Sequence, residues 1–150
     1  MIKPLEIHNA ISQILKKKTG YKVYSNEVLE GFVAPCFFVS VFIKNFNNQG
    51  KSVLAVEAEA SIEYYPYLDS EKRVRDEISS NKMIDILLSL FHLNLPVSDR
   101  HLLITDGRFS FGGQNKDLLK MDIGLSYFDS PDEREESGET ITAVDINTKN

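Results

Sequence analysis

The chain has 150 residues, of which 42% are hydrophobic, 10% aromatic and 26% charged, with a formal net charge of −5. That length and those fractions suit one folded domain with a sizeable core, and no apolar run approaches the roughly 20 residues of a membrane span. From Asp129 onward seven acids face Arg134 and Lys149, which leaves fifteen acids and fifteen bases before it, and a neutral body without a basic patch speaks against nucleic-acid binding.

The N-terminal stretch MIKPLEIHNA lacks the apolar core of a signal peptide, so the chain is expected to act in the cytosol. In PLEIHNAISQILKKK, Leu5, Ile7, Ile11, Ile14 and Leu15 recur at helical spacing, with Pro4 at the start. Lys16, Lys17 and Lys18 fall in the last turn, where positive charge suits the helix dipole, and Gly20 stops the helix. A short extended piece at residues 22–24 leads into a loop ending at Pro35.

A long hairpin follows. CFFVSVFIKNF is rich in β-branched and aromatic residues; Phe37, Val39, Val41 and Ile43 make one apolar face, and Phe38, Ser40, Phe42 and Lys44 a mixed one. NNQGK supplies turn chemistry, and the return strand runs over residues 52–65, ended by Pro66. Within it Val56, Ala58, Ala60, Ile62 and Tyr64 alternate with Glu57, Glu59, Ser61 and Glu63. Next, DSEKRVRDEISSNKMIDILLSLFHL reads as one helix, capped by Asp69 or Ser70 and striped by Val74, Ile78, Ile84, Leu87, Leu88 and Phe91. Its second half is apolar nearly all round and is expected to pack deeply.

Two further strands, at residues 102–111 and 118–128, are joined by GGQNKD; the last alternates Leu119, Met121, Ile123, Leu125 and Tyr127 with polar residues, as in a sheet with one buried face. The expected fold is α+β, a mostly antiparallel sheet built from two long hairpins with the N-terminal and central helices packed on it. Residues 1–128 form the domain and residues 129–150 an acidic tail, expected to lack fixed structure. The tail ends in TITAVDI, whose Thr140, Ile141, Thr142 and Val144 give it strand character without a partner in its own chain.

Catalytic chemistry is hard to find in these residues. His8, His92 and His101 are scattered, with no second His or Cys at metal-ligand spacing. Ser98 and His101 share a loop that is no nucleophile elbow, and GRFSFGG precedes no helix, so it is not a phosphate loop. Phe109 and Phe111 could stack on bases, but Arg108 is their one basic neighbour. The single cysteine, Cys36, excludes an internal disulfide, fits a reducing compartment and sits in an apolar run as an inert thiol. The row Glu57, Glu59, Glu63 is no convergent cation site, because carboxylates two residues apart on a strand lie about 7 Å from one another along a line. It is a solvated face, or a functional one: a repulsive wall or a surface for a basic neighbour.

The initial amphipathic helix, the segment YKVYSNEVLEGFVAPCFFVSV, the hairpin ending in EYYP, the KMIDIL helix and the closing two-phenylalanine hairpin together resemble phage tail terminator proteins. The likeness is greatest to those of Gram-positive phages, defective prophages and phage-tail-like bacteriocins. It spans residues 1–128, with Pro35, Cys36, Tyr64, Tyr65 and Pro66 as landmarks.

The resemblance implies a structural protein with no enzymatic activity and no cofactor. It implies a ring homo-oligomer, usually hexameric, that assembles in the host bacterial cytoplasm and sits at the head-proximal end of the tail. Such a ring stops polymerisation of the tail tube, and of the sheath if the tail is contractile, and presents a docking surface to the head-tail connector. Its partners would be itself, tail tube protein, sheath protein and connector, with no membrane and no specific nucleic acid. In such a ring the glutamate row would line the channel or meet a basic neighbour. Asn47, Asn48, Gln49 and Gly50, with Gly113, Gln114 and Asn115, would offer loops to tube or sheath, and TITAVDI would add to a neighbour's sheet. A head-tail connector or tail-completion adaptor, and a small-ligand-binding α+β domain, are the alternative readings.

Overall fold

The computed structural model describes residues 1–25, 31–66, 78–112 and 118–130. In chain order these contain α1 (Pro4–Thr19), β1 (Lys22–Ser25), β2 (Cys36–Asn48), β3 (Leu54–Tyr65), α2 (Ser80–Leu90), β4 (Asn94–Val97), β5 (Arg100–Gly112) and β6 (Leu118–Asp129). The strands form one mixed sheet in the order β1-β2-β3-β6-β5-β4. β1 runs parallel to β2 and the other neighbours are antiparallel. Among the described residues no helix is long and apolar enough to cross a membrane.

Both helices lie on one face of the sheet. Ile7, Ile11 and Leu15 of α1 are buried against it, and Gly20, at φ 77°, ends the helix by donating its N–H to the Lys16 carbonyl at 2.8 Å. α1 touches β1 and β2 near one edge and β4 at the other. A flat sheet of this width cannot meet one helix at both edges, so the sheet curls around α1. The concave face holds the core: Phe37 and Val39 of β2, Val56 to Tyr64 in alternation on β3, Leu119 to Tyr127 in alternation on β6, and Met83, Leu87 and Phe91 from α2 and its end. Tyr64 ties this core to the entry of α2 by donating its hydroxyl hydrogen to the Ile78 carbonyl at 2.7 Å, and Tyr21 stacks on its ring.

Several boundaries differ from those read in the sequence. Asp69 and Ser70, the proposed caps, lie outside the described residues. The helix that is described starts at Ser80, because Ser79 is extended (ψ 164°) and its hydroxyl accepts from the Lys82 amide. Ile78 therefore precedes the helix. Leu88 is 50% exposed, so α2 does not bury its whole circumference. Leu5 is 66% exposed because it sits off the Ile7-Ile11-Leu15 stripe.

β4 was not expected. NLPV is short and contains a proline, yet it pairs with residues 100–103, turning through Ser98 (φ 55°) and Asp99. Arg100 and His101 thus lie on β5 rather than in a loop. β2 runs on to Asn48, so Asn47 and Asn48 belong to the strand, and the turn is made by residues 49–53, with the Gln49 amide bonded to the Val53 carbonyl. Asp129, counted with the tail on charge, is the last residue of β6 and is buried.

Candidate functional site

The face away from the helices is convex, and the glutamate row lies along its middle strand. Strand alternation puts Glu57, Glu59 and Glu63 there because Val56, Ala58, Ala60, Ile62 and Tyr64 take the core side. Glu57 is exposed; Glu59 and Glu63 are half-buried. The register decides what each one meets. Glu63 lies between Phe38 and Lys120, Glu59 between Phe42 and Gly124, and Glu57 between Asn45 and Ser126. Asn45 Nδ2 donates to Glu57 Oε1 at 3.0 Å.

Between Glu59 and Glu63 sits a separate polar cluster. Ser61 Oγ donates to Asp122 Oδ1, and Arg108 Nε lies 3.7 Å from Asp122 Oδ2. Gly124 has no side chain to stand between β3 and β5; a Cβ there would run into Asp106 Oδ1 and Thr105 Oγ1. The resulting groove of about 450 Å³ is bordered by Glu57, Glu59, Asp106 and Asp122, with Lys44 and Arg108 among its lining residues. The face is therefore a mixed surface with an acidic excess. Among the described residues no group of three or more His, Cys, Asp or Glu is placed to hold a metal ion.

One corner of the convex face is aromatic. Phe38 packs against Tyr24, Phe32 and Tyr65 with ring centroids 5.0–5.5 Å apart. Cys36 is paired with Tyr65 in the register and has no exposed surface. Burial pushes its thiol up to about 11, so it stays protonated and unreactive at neutral pH.

The β2–β3 hairpin leaves an apolar surface uncovered. β1 pairs with residues 36–39 alone, so the outer edge of β2 over residues 40–48 has no strand partner among the described residues. Every residue from Phe42 to Asn48 is exposed. A register shift between Ile43 and Asn45 places Phe46 opposite Val56, on the same side as Ile43. Those two residues, with Ile2, Pro4, Val56 and Tyr127, line a groove of about 320 Å³. Phe46 is 63% exposed. At its margin the carboxylate of Asp129 accepts from the Ile2 amide at 2.8 Å, the Ser130 amide at 2.9 Å and Arg100 Nη1 at 3.3 Å. The Arg100 guanidinium also lies over the Tyr127 ring at 5.8 Å. Burial and Asp129 raise the Tyr127 phenol above its ordinary value, partly offset by Arg100.

Of the residues singled out in the sequence, Glu57, Glu59 and Glu63 share one face and Gln49 and Gly50 form the hairpin tip. Gly113, Gln114 and Asn115, and Thr140, Ile141, Thr142 and Val144, lie outside the described residues. The Asp129 contacts and the free edge were missed. The first joins residues 127 apart; the second had a signal in the adjacent apolar pair Phe42–Ile43, which no one-faced strand would expose.

A family model described as "Phage tail terminator protein" matches residues 6–137. The chain belongs to this family. A search of the curated proteins found no match. Membership in the tail terminator family gives the protein a structural role in tail assembly and a place in the tail of the virion. The glutamate row, the hairpin and Asp129 all lie inside the stretch that matches the tail terminators, and residues 140–146 lie beyond it.

Proposed function

We propose that the protein caps the head-proximal end of the tail tube as a homo-oligomeric ring, hexameric in the usual form of this family. It ends polymerisation of the tube (and of the sheath, if the tail is contractile) and offers a docking surface to the head-tail connector. The role is structural, with no catalytic step and no cofactor. The observation that carries this reading is that the second strand from each edge of the sheet is only part-covered by the short edge strand beside it. β2 is free over residues 40–48, and β5, covered by β4 over residues 100–103, has no outer strand partner over residues 105–112 among the described residues. Different surfaces on opposite edges suit heterologous contacts, which make a ring where the rotation from one subunit to the next closes.

In such a ring the convex face, with its acidic excess, lines the channel or meets a basic neighbour. Glutamates repel passing phosphate, the reverse of the basic groove of a DNA-binding protein. The hairpin tip at Gln49 and Gly50 meets tube or sheath subunits.

Light scattering of the protein alone, and again with purified tail tube protein, tests the reading. A mass near that of a hexamer, or a ring that forms on the tube, supports it. A monomer that ignores the tube overturns it, and binding to isolated connector without binding to tube would make the protein an adaptor instead.

A further inference from the structure

The free edge of β2 carries two kinds of unsatisfied surface. Its outward N–H and C=O groups lack a strand partner over residues 40–48 among the described residues, the condition under which a sheet accepts another strand. Beside it, Ile43 and Phe46 leave the apolar groove open on the concave side. An occupant must therefore be an extended segment, about seven to nine residues long, apolar on one side and tolerant of positive charge on the other. Lys44 lies exposed at the register shift, and Lys51 at the hairpin turn.

We propose that residues 140–146 of a neighbouring copy, TITAVDI, add to this edge as a strand and fill the groove. The match is chemical and geometric. Period-two alternation puts Thr140, Thr142, Val144 and Ile146 on one side of such a strand, with Val144 and Ile146 as its apolar pair, and Ile141, Ala143 and Asp145 on the other. With the apolar pair over the groove, Asp145 falls on the convex side, where Lys44 lines the neighbouring surface. Threonine and valine are good strand formers, and seven residues fit an edge of nine.

Reach permits it. Asp129 pairs with Leu54, and Leu54 with Asn48, so the chain leaves the sheet at the end where the free edge lies. Residues 131–139, extended, span up to about 30 Å, whereas the far side of β2 in the same subunit is about 15 Å from β6. The surplus reach suits donation to a neighbour, the arrangement by which an extended segment joins one chain to the sheet of another. This last step, from own edge to neighbour's edge, rests on the ring reading above.

The test uses the full chain. A chain carrying Asn47→Cys is mixed with one carrying Thr142→Cys under mild oxidation; the native Cys36 is buried and stays out of the reaction. A disulfide between the two different chains is expected, and it should be lost when Val144→Pro is added, because proline removes a ladder hydrogen bond. Hydrogen exchange should show amides in residues 40–48 slowed about tenfold in the assembled wild type relative to the Val144→Pro chain, with β3 and β6 unchanged. Equal exchange in the two chains overturns the proposal. A disulfide that forms only within a doubly substituted monomer overturns the neighbour assignment. Tube capping is measured in parallel: a mixture of the Asn47→Cys and Thr142→Cys chains that caps tubes without forming the cross-link leaves the terminator reading standing and removes this one.

Discussion

The carboxylate of Asp129, at the end of β6, accepts a hydrogen bond from the amide of Ile2, 127 residues earlier in the chain. It also holds Arg100, whose guanidinium donates as well to the Phe128 carbonyl and covers the Tyr127 ring. One buried acid thus closes the N-terminal segment, β5 and β6 together at the margin of the apolar groove.

Replacing Asp129 with alanine leaves the Ile2 amide without its acceptor and Arg100 without its counter-charge. Loss of a buried, charge-assisted acceptor costs about 2–3 kcal/mol, which for a chain of this size is a fall in Tm of roughly 5–10 °C. Calorimetry of Asp129→Ala checks this. A change below about 1 °C would mean that the groups find water instead.

How much of this was legible in the sequence depends on how local each signal is. The alternation in β3 and β6 names the buried side chains residue by residue, because a strand's period follows from its own backbone. The glutamates could be put on one face for the same reason. What stands beside them could not: Lys120, Asp122 and Arg108 reach the row through register between strands distant in sequence. β4 was hidden because four residues with a proline carry no periodicity, and its pairing partner supplies the order. Ser79 broke the expected helix because its side chain competes for the first-turn amides, a choice that a smooth hydrophobic stripe conceals.

Cys36 gives the protein a stability that depends on alkaline pH. Its thiol is ordinary in the unfolded chain, near 9, and is raised by burial to about 11 in the folded one. The folded state therefore holds the proton more tightly. Its contribution is fully present below about pH 9 and declines between about 9 and 11, by up to about 1.4 kcal/mol per pH unit. Tyr65 and Tyr127, both raised mainly by burial, act in the same direction. Urea midpoints at pH 8, 9 and 10 should fall across the series, and Cys36→Ala should flatten the fall. An equal slope in both proteins would show that the tyrosines carry it.

The acidic excess of the convex face predicts a gain of function when it is reversed. Glu57→Lys, Glu59→Lys and Glu63→Lys together should leave the fold intact, because these side chains are exposed or half-buried. Directly across the strands only position 63, opposite Lys120, becomes a like-charge pair, at a cost below about 1 kcal/mol, while positions 57 and 59 share their groove with Lys44 and Arg108. The triple variant should bind duplex DNA with an affinity that falls as salt rises, whereas the wild type should not. Anisotropy with labelled DNA decides it; binding by the wild type would remove the repulsive role.

The exposed phenylalanines of β2 separate assembly from stability. Phe46 is 63% and Phe42 51% exposed, and they point to opposite sides of the sheet, whereas Phe37 on the same strand is fully buried. Phe37→Ala removes core packing and should cost about 3–5 kcal/mol. Phe42→Ser and Phe46→Ser together bury nothing new and empty no core site, so the monomer should keep its stability within about 1 kcal/mol. If the hairpin is a subunit or tube contact, the same pair should abolish the ring or its binding to tube, since apolar side chains left in water on a monomer are what an interface covers. Denaturation curves and light scattering on one preparation read both effects. A double variant that still assembles would place the contacts on β5 and the convex face instead, and would leave the apolar side of β2 without a role in the ring.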